Sequence, residues 1–142
     1  MSQFVEKEIA EKYISKWQDI LRLRDWDIKL HIVEEEWRKT GDIKIDVDDK
    51  KAILMLNNYN PKQTNLEELI IHEFLHLKLY GMDQMTEELI HCVFGDDLED
   101  AKFKFAYDKF MTLIETTVED LAKGYLGVAG ENKNISFGRI QK

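Results

Sequence analysis

The sequence predicts an α+β protein that forms one domain, with an N-terminal helix, a small three-stranded sheet and three further helices. Apolar residues recur every three or four positions in the first 22 residues and again after residue 64, as helices require. Between residues 26 and 48 two segments alternate apolar with polar residues, and a short apolar run follows at 51–58, as strands allow. The chain has 142 residues, one proline and no Gly/Ser-rich linker. We therefore expect a single domain over residues 1–142, with its core at about 3–123 and a loosely ordered tail at 124–142.

The first helix is predicted over residues 3–22, and the three strands follow it. The segments "WDIKLHIV" (26–33) and "DIKIDVD" (42–48) alternate in the manner of half-buried strands. The apolar run "KAILMLNN" (51–58) predicts a third strand, buried on both faces or beside a cleft. We expect it to form a hairpin with the second strand, in a mainly antiparallel sheet. The helix prediction depends on one apolar stripe, which comprises Val5, Ile9, Tyr13, Trp17, Ile20 and Leu21.

Two helices joined by a tight turn are predicted next. Thr64 to Glu67 have the form of a capping box that begins a helix, and Gly81 stands where a helix would end. A second helix from about Gln84 to Phe94 would then run antiparallel to the first. We expect the pair to form a helical hairpin.

A long final helix is predicted at about residues 98–123. A lone cysteine, Cys92, lies before it in the apolar run "LIHCVF", where a buried, unreactive thiol is expected. The apolar stripe of the final helix comprises Phe103, Ala106, Phe110, Leu113, Ile114, Val118 and Leu121.

Charge and hydropathy exclude several classes of partner. The net charge is −8, and no segment gathers enough Lys or Arg to neutralise several phosphates, so nucleic acid is not an expected partner. The N-terminal residues lack the pattern of a secretory signal, and no window reaches about 18 uncharged apolar residues. We expect a cytoplasmic protein without a membrane segment, monomeric by default.

The segment "LEELIIHEFLHLKLYG" (66–81) carries the strongest functional signal, because His72, Glu73 and His76 form the motif HExxH. On a helix the two histidines lie one turn apart, about 40° around the axis, so both imidazoles can reach one metal ion. Imidazoles suit Zn²⁺, and Glu73 is placed to take a proton from a water molecule that the zinc activates. Glu68, one turn earlier, is expected to face water.

A catalytic zinc site needs a third protein ligand, and three residues of the predicted second helix are candidates. If the chain reverses at Gly81, Glu87, Glu88 and His91 lie level with the two histidines. Glu87 is favoured as the metal ligand because apolar residues three, six and seven positions later would pack beside it. His91 could instead orient a ligand or contact an anionic intermediate.

The chemistry expected of such a site is hydrolysis of an amide. Zinc would lower the pKa of a water molecule, Glu73 would accept its proton, and the resulting hydroxide would attack the carbonyl. Glu73 would then protonate the leaving amine. His91, Tyr80 or Tyr107 could stabilise the oxyanion, and the sequence does not choose among them.

These motifs resemble those of the zincin metallopeptidases, in which a small sheet precedes a helix carrying HExxH. A glutamate ligand on a later helix is the gluzincin arrangement, and the chain also resembles the compact minigluzincins and small phage-encoded predicted peptidases. The likeness covers about residues 25–94. It implies a zincin-like minimal domain and a peptide or protein substrate, which the strand at 52–58 would hold by main-chain hydrogen bonds.

Two other hypotheses remain open from the sequence. One is a catalytically silent zinc-binding protein of phage or mobile-element type that regulates or binds a partner. The other is a helical interaction module that binds no metal.

Overall fold

The computed structural model describes residues 4–62, 65–131 and 133. It confirms the predicted α+β class and the predicted order of one helix, three strands and three helices. The elements are α1 (Lys7–Ile20), β1 (Asp27–Val33), β2 (Gly41–Asp46), β3 (Lys51–Asn57), α2 (Leu66–Lys78), α3 (Tyr80–Phe94) and α4 (Ala101–Ala129).

The sheet is mixed, which corrects the expectation of a mainly antiparallel one. Its strand order is β1-β3-β2, with β1 parallel to β3 and β2 antiparallel to β3. The predicted hairpin between β2 and β3 is confirmed, and Lys50 takes a left-handed conformation (φ 53°) in its turn. Along β3, Ala52, Leu54 and Leu56 are buried whereas Ile53 is 41% exposed, so only one face of the strand enters the core.

The core lies between this face of the sheet and helices α1, α2 and α4. α1 contributes Ala10, Ile14 and Trp17, which follow helical spacing, whereas Ile9 and Ile20 of its predicted stripe are each 41% exposed. The largest fully buried side chains of the core are Trp17, Phe74, Leu54, Leu56, Ile70, Ile71 and Leu126.

A buried carboxylate at the start of α2 ties three parts of the chain together. Oε2 of Glu67 accepts hydrogen bonds from Lys16 Nζ and Trp17 Nε1, each at 2.7 Å, and Oε1 accepts one from the backbone N–H of Glu131 at 2.8 Å. Glu67 therefore faces the core. The predicted capping box begins at Thr64, which lies outside the described residues, and the side chain of Asn65 caps α2 instead.

The link between α2 and α3 is one residue, Leu79, and this corrects the predicted hairpin. Leu79 has φ −94° and ψ 4°, close to helical values, so the chain bends there and does not reverse. Its N–H still bonds to Leu75 O, and its carbonyl accepts from Asp83 N–H. Gly81 thus lies inside the first turn of α3. Cys92, near the end of α3, is exposed, so the expectation of a buried thiol is wrong. α4, and not α3, packs extensively along α2.

The last helix is longer at its C-terminal end than predicted. α4 runs to Ala129, so residues 124–129 of the expected loose tail are helical. Its buried residues include Val118, Ala122 and Leu126, whereas Leu113 is 52% exposed. Residues 134–142 of the expected tail lie outside the described part of the chain. Among the helices that are described, none has both the length and the apolar character needed to cross a bilayer.

Candidate metal centre

Two imidazoles lie side by side on α2, where most other side chains are buried. The ring centroids of His72 and His76 are 4.9 Å apart, with 62° between the ring planes. Their side chains are only 18% and 23% exposed. Glu68 is fully buried, which corrects the expectation that it faces water.

α4 brings one carboxylate to each histidine. Glu115 Oε1 lies 2.8 Å from His76 Nε2, and Glu119 Oε1 lies 3.4 Å from His72 Nδ1. The two histidines are four positions apart on α2 and the two glutamates are four positions apart on α4, so each set spans one helical turn. The earlier histidine meets the later glutamate, which means that α2 and α4 run antiparallel here.

Three of these side chains could share one metal ion. Ligand atoms of His72, His76 and Glu115 all lie within 4.8 Å of one another. Among the described residues, these three form the group of metal-ligating side chains found close enough together to hold one ion. In a tetrahedral zinc site with bonds of about 2.1 Å, ligand atoms are roughly 3.4 Å apart. Small side-chain rotations would bring the three atoms to bonding distance, so these residues could hold a metal ion.

The residues proposed from sequence on α3 lie outside this group. The Glu87 carboxylate accepts hydrogen bonds from Gln84 Nε2 at 3.1 Å and Tyr107 Oη at 3.3 Å. Glu88 is exposed. His91 Nδ1 lies 2.7 Å from Asp96 Oδ1, and its ring packs against Phe103. Glu87 as the third ligand stays a prediction, and the structure offers Glu115 for the same position.

Glu73 lies beside the histidines at the wall of a cleft of about 1490 Å³. Its side chain is nearly buried, and Oε2 is 3.3 Å from where a Cβ on Gly41 would stand. That Cβ would also come within 2.9 Å of Leu69 Cδ1. A glycine at the start of β2 therefore lets the strand approach the HExxH helix closely. The cleft is lined mainly by the segment from Lys39 to Gly41, by α2 and by residues 111–123 of α4.

The three residues considered for an oxyanion donor, Tyr80, His91 and Tyr107, do not line this cleft as it is described. Tyr107 instead donates to Glu87. Burial and this neighbouring carboxylate raise the pKa of the Tyr107 hydroxyl.

Burial and charge shift the protonation of the central groups. Burial raises the pKa of Glu73, partly offset by the two neighbouring imidazoles. Burial acts to lower the pKa of His72, but the surrounding carboxylates, led by Glu119, outweigh it and raise that pKa. The hydrogen bonds to the histidines lower the pKa of both Glu115 and Glu119. The pair of His72 and Glu119 therefore favours protonated imidazole against ionised carboxylate when no metal is bound.

Sequence reasoning did not single out Glu115 or Glu119. The signal available was their spacing of four in "ETTVE", which matches the spacing of His72 and His76. Such pairs are common on solvated helices, so the spacing alone could not indicate which helix faces α2.

Comparison of the chain with family models, with curated proteins and with solved structures finds no match. The resemblance to zincins therefore stays a prediction. It depends on HExxH and on the small sheet that precedes the helix carrying this motif.

Proposed function

We propose that the protein is a small zinc-dependent metallopeptidase whose metal ligands are His72, His76 and Glu115. The observation that carries the proposal is that His72 and Glu115 line the same cleft as the nearly buried carboxylate of Glu73. His76 lies beside both of these ligands and completes the group. Two histidines and a glutamate, with a fourth position open, are a ligand set typical of catalytic zinc. When bound, zinc would supply a Lewis acid that polarises a carbonyl and lowers the pKa of water.

Glu119 would orient one of the ligands. Because Nδ1 of His72 faces the Glu119 carboxylate, Nε2 of that ring is the nitrogen available to a metal. A carboxylate on the far nitrogen fixes the tautomer and the ring orientation and makes the ligand more basic. Glu115 would not orient a histidine in this way. Its oxygen approaches Nε2 of His76, the atom that would itself bind the ion, so Glu115 would be a ligand.

Glu73 would move the proton during hydrolysis. It takes a proton from water, the water oxygen bonds to the amide carbon, the C–N bond breaks, and Glu73 returns the proton to the leaving amine. Burial supports this function because it raises the pKa of Glu73 towards neutral pH, where a carboxylate exchanges protons more readily.

An extended substrate would pair with β2 and not with β3. The expectation that residues 52–58 hold the peptide is wrong, because β3 is the central strand and is paired on both sides. β2 is an outer strand, and its first residue, Gly41, lies next to Glu73. Its free edge is therefore the one beside the cleft to which a peptide could add by main-chain hydrogen bonds.

The test is zinc content and hydrolysis of a quenched fluorescent peptide library by the full chain and by Glu73→Gln. We expect about one zinc per chain in both proteins and a loss of rate of at least about 100-fold in the variant. Glu88→Gln, an exposed glutamate of α3, is the matched control and should keep full activity.

Two results would refute the proposal. Absence of zinc after supplementation would remove any metal function. Full zinc occupancy without cleavage of any library peptide would favour the silent zinc-binding protein.

A further inference from the structure

Helix α3 presents a row of apolar side chains to solvent. Met82, Met85, Leu89 and Val93 are 71%, 66%, 53% and 62% exposed. At about 100° per residue, their spacing of three, four and four places them within roughly 80° of the helix circumference. We call these four residues the α3 stripe. Ile90, about 60° around the helix from Val93, is buried and marks where the helix turns towards the protein.

The α3 stripe is a continuous surface and not scattered exposure. It runs for three turns, roughly 16 Å along the helix axis. Single exposed apolar residues are common on soluble proteins, whereas a contiguous exposed row marks a site of interaction. Two of its four members are methionines, whose flexible side chains adapt to the shape of a partner.

The surroundings of the α3 stripe are acidic. Glu88 is exposed and lies about 60° from Met85 around the helix, and exposed acids follow at the C-terminal end of α3. Residues 79–101 contain no Lys or Arg, and their acidic residues are Asp83, Glu87, Glu88, Asp96, Asp97, Glu99 and Asp100.

This charge discriminates among the possible occupants. An anionic bilayer surface would be repelled. A second copy that met the α3 stripe with its own would bring acid against acid, which costs free energy at an interface. The surface complements an apolar row that is flanked by Lys or Arg.

We propose that the α3 stripe binds a basic amphipathic segment of another protein, with the apolar row of the partner on the stripe and its cations beside Glu88 and the acids after Phe94. The surface involves none of the proposed metal ligands, so the interaction does not depend on zinc or on catalysis.

The probe is a synthetic 18-residue helix of Leu and Lys with leucines at positions i, i+3, i+4 and i+7, measured by fluorescence anisotropy against the full chain. The double variant Met85→Gln, Leu89→Gln should bind roughly tenfold more weakly. Glu88→Lys should also weaken binding. The matched control is Val128→Gln on α4, at a residue that is 83% exposed, and it should change affinity less than about twofold.

A second peptide has the same composition but distributes its leucines around the helix, and it should bind at least about tenfold more weakly. Circular dichroism verifies that each variant is folded. Equal loss of affinity in the double variant and in Val128→Gln would overturn the proposal, and so would equal binding of the two peptides. Self-association that the double variant abolishes would assign the surface to a second copy, and binding to anionic vesicles would assign it to a membrane. Either result also overturns the proposal.

Discussion

The sharpest prediction concerns the glutamate ligand of the proposed zinc site. Glu115→Ala removes the carboxylate that lies 2.8 Å from His76 Nε2. Among the described residues, this carboxylate belongs to the one group found whose ligand atoms lie close enough together to hold a metal ion. Removal of a residue that merely orients a ligand costs 10–100-fold in metal affinity, so removal of a ligand itself should cost at least about 100-fold, or about 2.7 kcal/mol. Glu119→Gln, which acts through His72, should lose roughly 10- to 100-fold.

Glu87→Ala is the discriminating control for that series. Its carboxylate bonds to Gln84 and Tyr107 and does not meet the histidines, so the variant should lose less than about threefold in zinc affinity. The assay is a competition titration of Zn²⁺ against a chromophoric chelator at one pH, with urea unfolding to verify that each variant is folded. A large loss in Glu87→Ala with none in Glu115→Ala would refute the pairing of α4 with the site and restore the prediction made from sequence.

Three further predictions concern packing and pH. Gly41→Ala should lower the hydrolysis rate at least about tenfold, because the added Cβ crowds the carboxylate of Glu73, and peptide turnover measures it. Glu67→Ala should lower the free energy of unfolding by about 3–5 kcal/mol in urea titrations, since it leaves the buried N–H of Trp17 and other donors unpaired. In metal-free protein, the raised pKa of His72 stabilises the fold below about pH 6.5, and this contribution is lost as the pH rises through the pKa of His72 in the folded protein. The lowered pKa of Glu119 stabilises the fold above about pH 4.5, and this contribution is lost as the pH falls through the pKa of Glu119 in the folded protein. The ion pair should therefore contribute most to the free energy of unfolding between these two pH values. In urea titrations across pH, Glu119→Gln should lower the free energy of unfolding there by up to about 1 kcal/mol and no more, because Glu119 is 36% exposed and screened by solvent.

Each of these predictions has a control and a contrary outcome. Gly124→Ala adds a methyl group that meets no atom within 4 Å beyond its own turn of helix. Turnover that falls equally in both glycine variants would dismiss the close approach of β2. Glu8→Ala is an exposed control for Glu67→Ala, and a cost below about 1 kcal/mol at Glu67 would mean that its hydrogen bonds contribute little. A stability difference between wild type and Glu119→Gln that is constant from pH 4 to pH 8 would refute the ion pair with His72.

Local patterns predicted the secondary structure well because they record which side of an element meets the core. The alternation in residues 26–33 and the helical spacing around Trp17 both correspond to observed elements. The local sequence pattern does not indicate which distant segments pair with each other. The position of β3 at the centre of the sheet depends on β1 lying beside it in parallel, which no local pattern specifies.

The candidate site shows the same division. HExxH is a local motif, so the spacing of His72, Glu73 and His76 is enough to predict that they share one helix. The carboxylates that face the histidines come from α4, about 40 residues later in the chain. Predicting them required knowing that the chain bends at Leu79 and does not reverse at Gly81, a difference of one residue's backbone angles. Side-chain spacing carries no information on that angle.

The junction at Glu67 gives α4 a fixed length between two points of attachment. At one point Glu119 meets His72, and at the other the backbone of Glu131 bonds to Glu67, just beyond the end of the helix. One residue inserted between them would rotate the part of α4 beyond it by about 100° relative to the rest and lengthen it by about 1.5 Å. Glu119 and the backbone of Glu131 could not then both keep their partners, so this stretch of helix should tolerate substitutions on its outer face but no change in length.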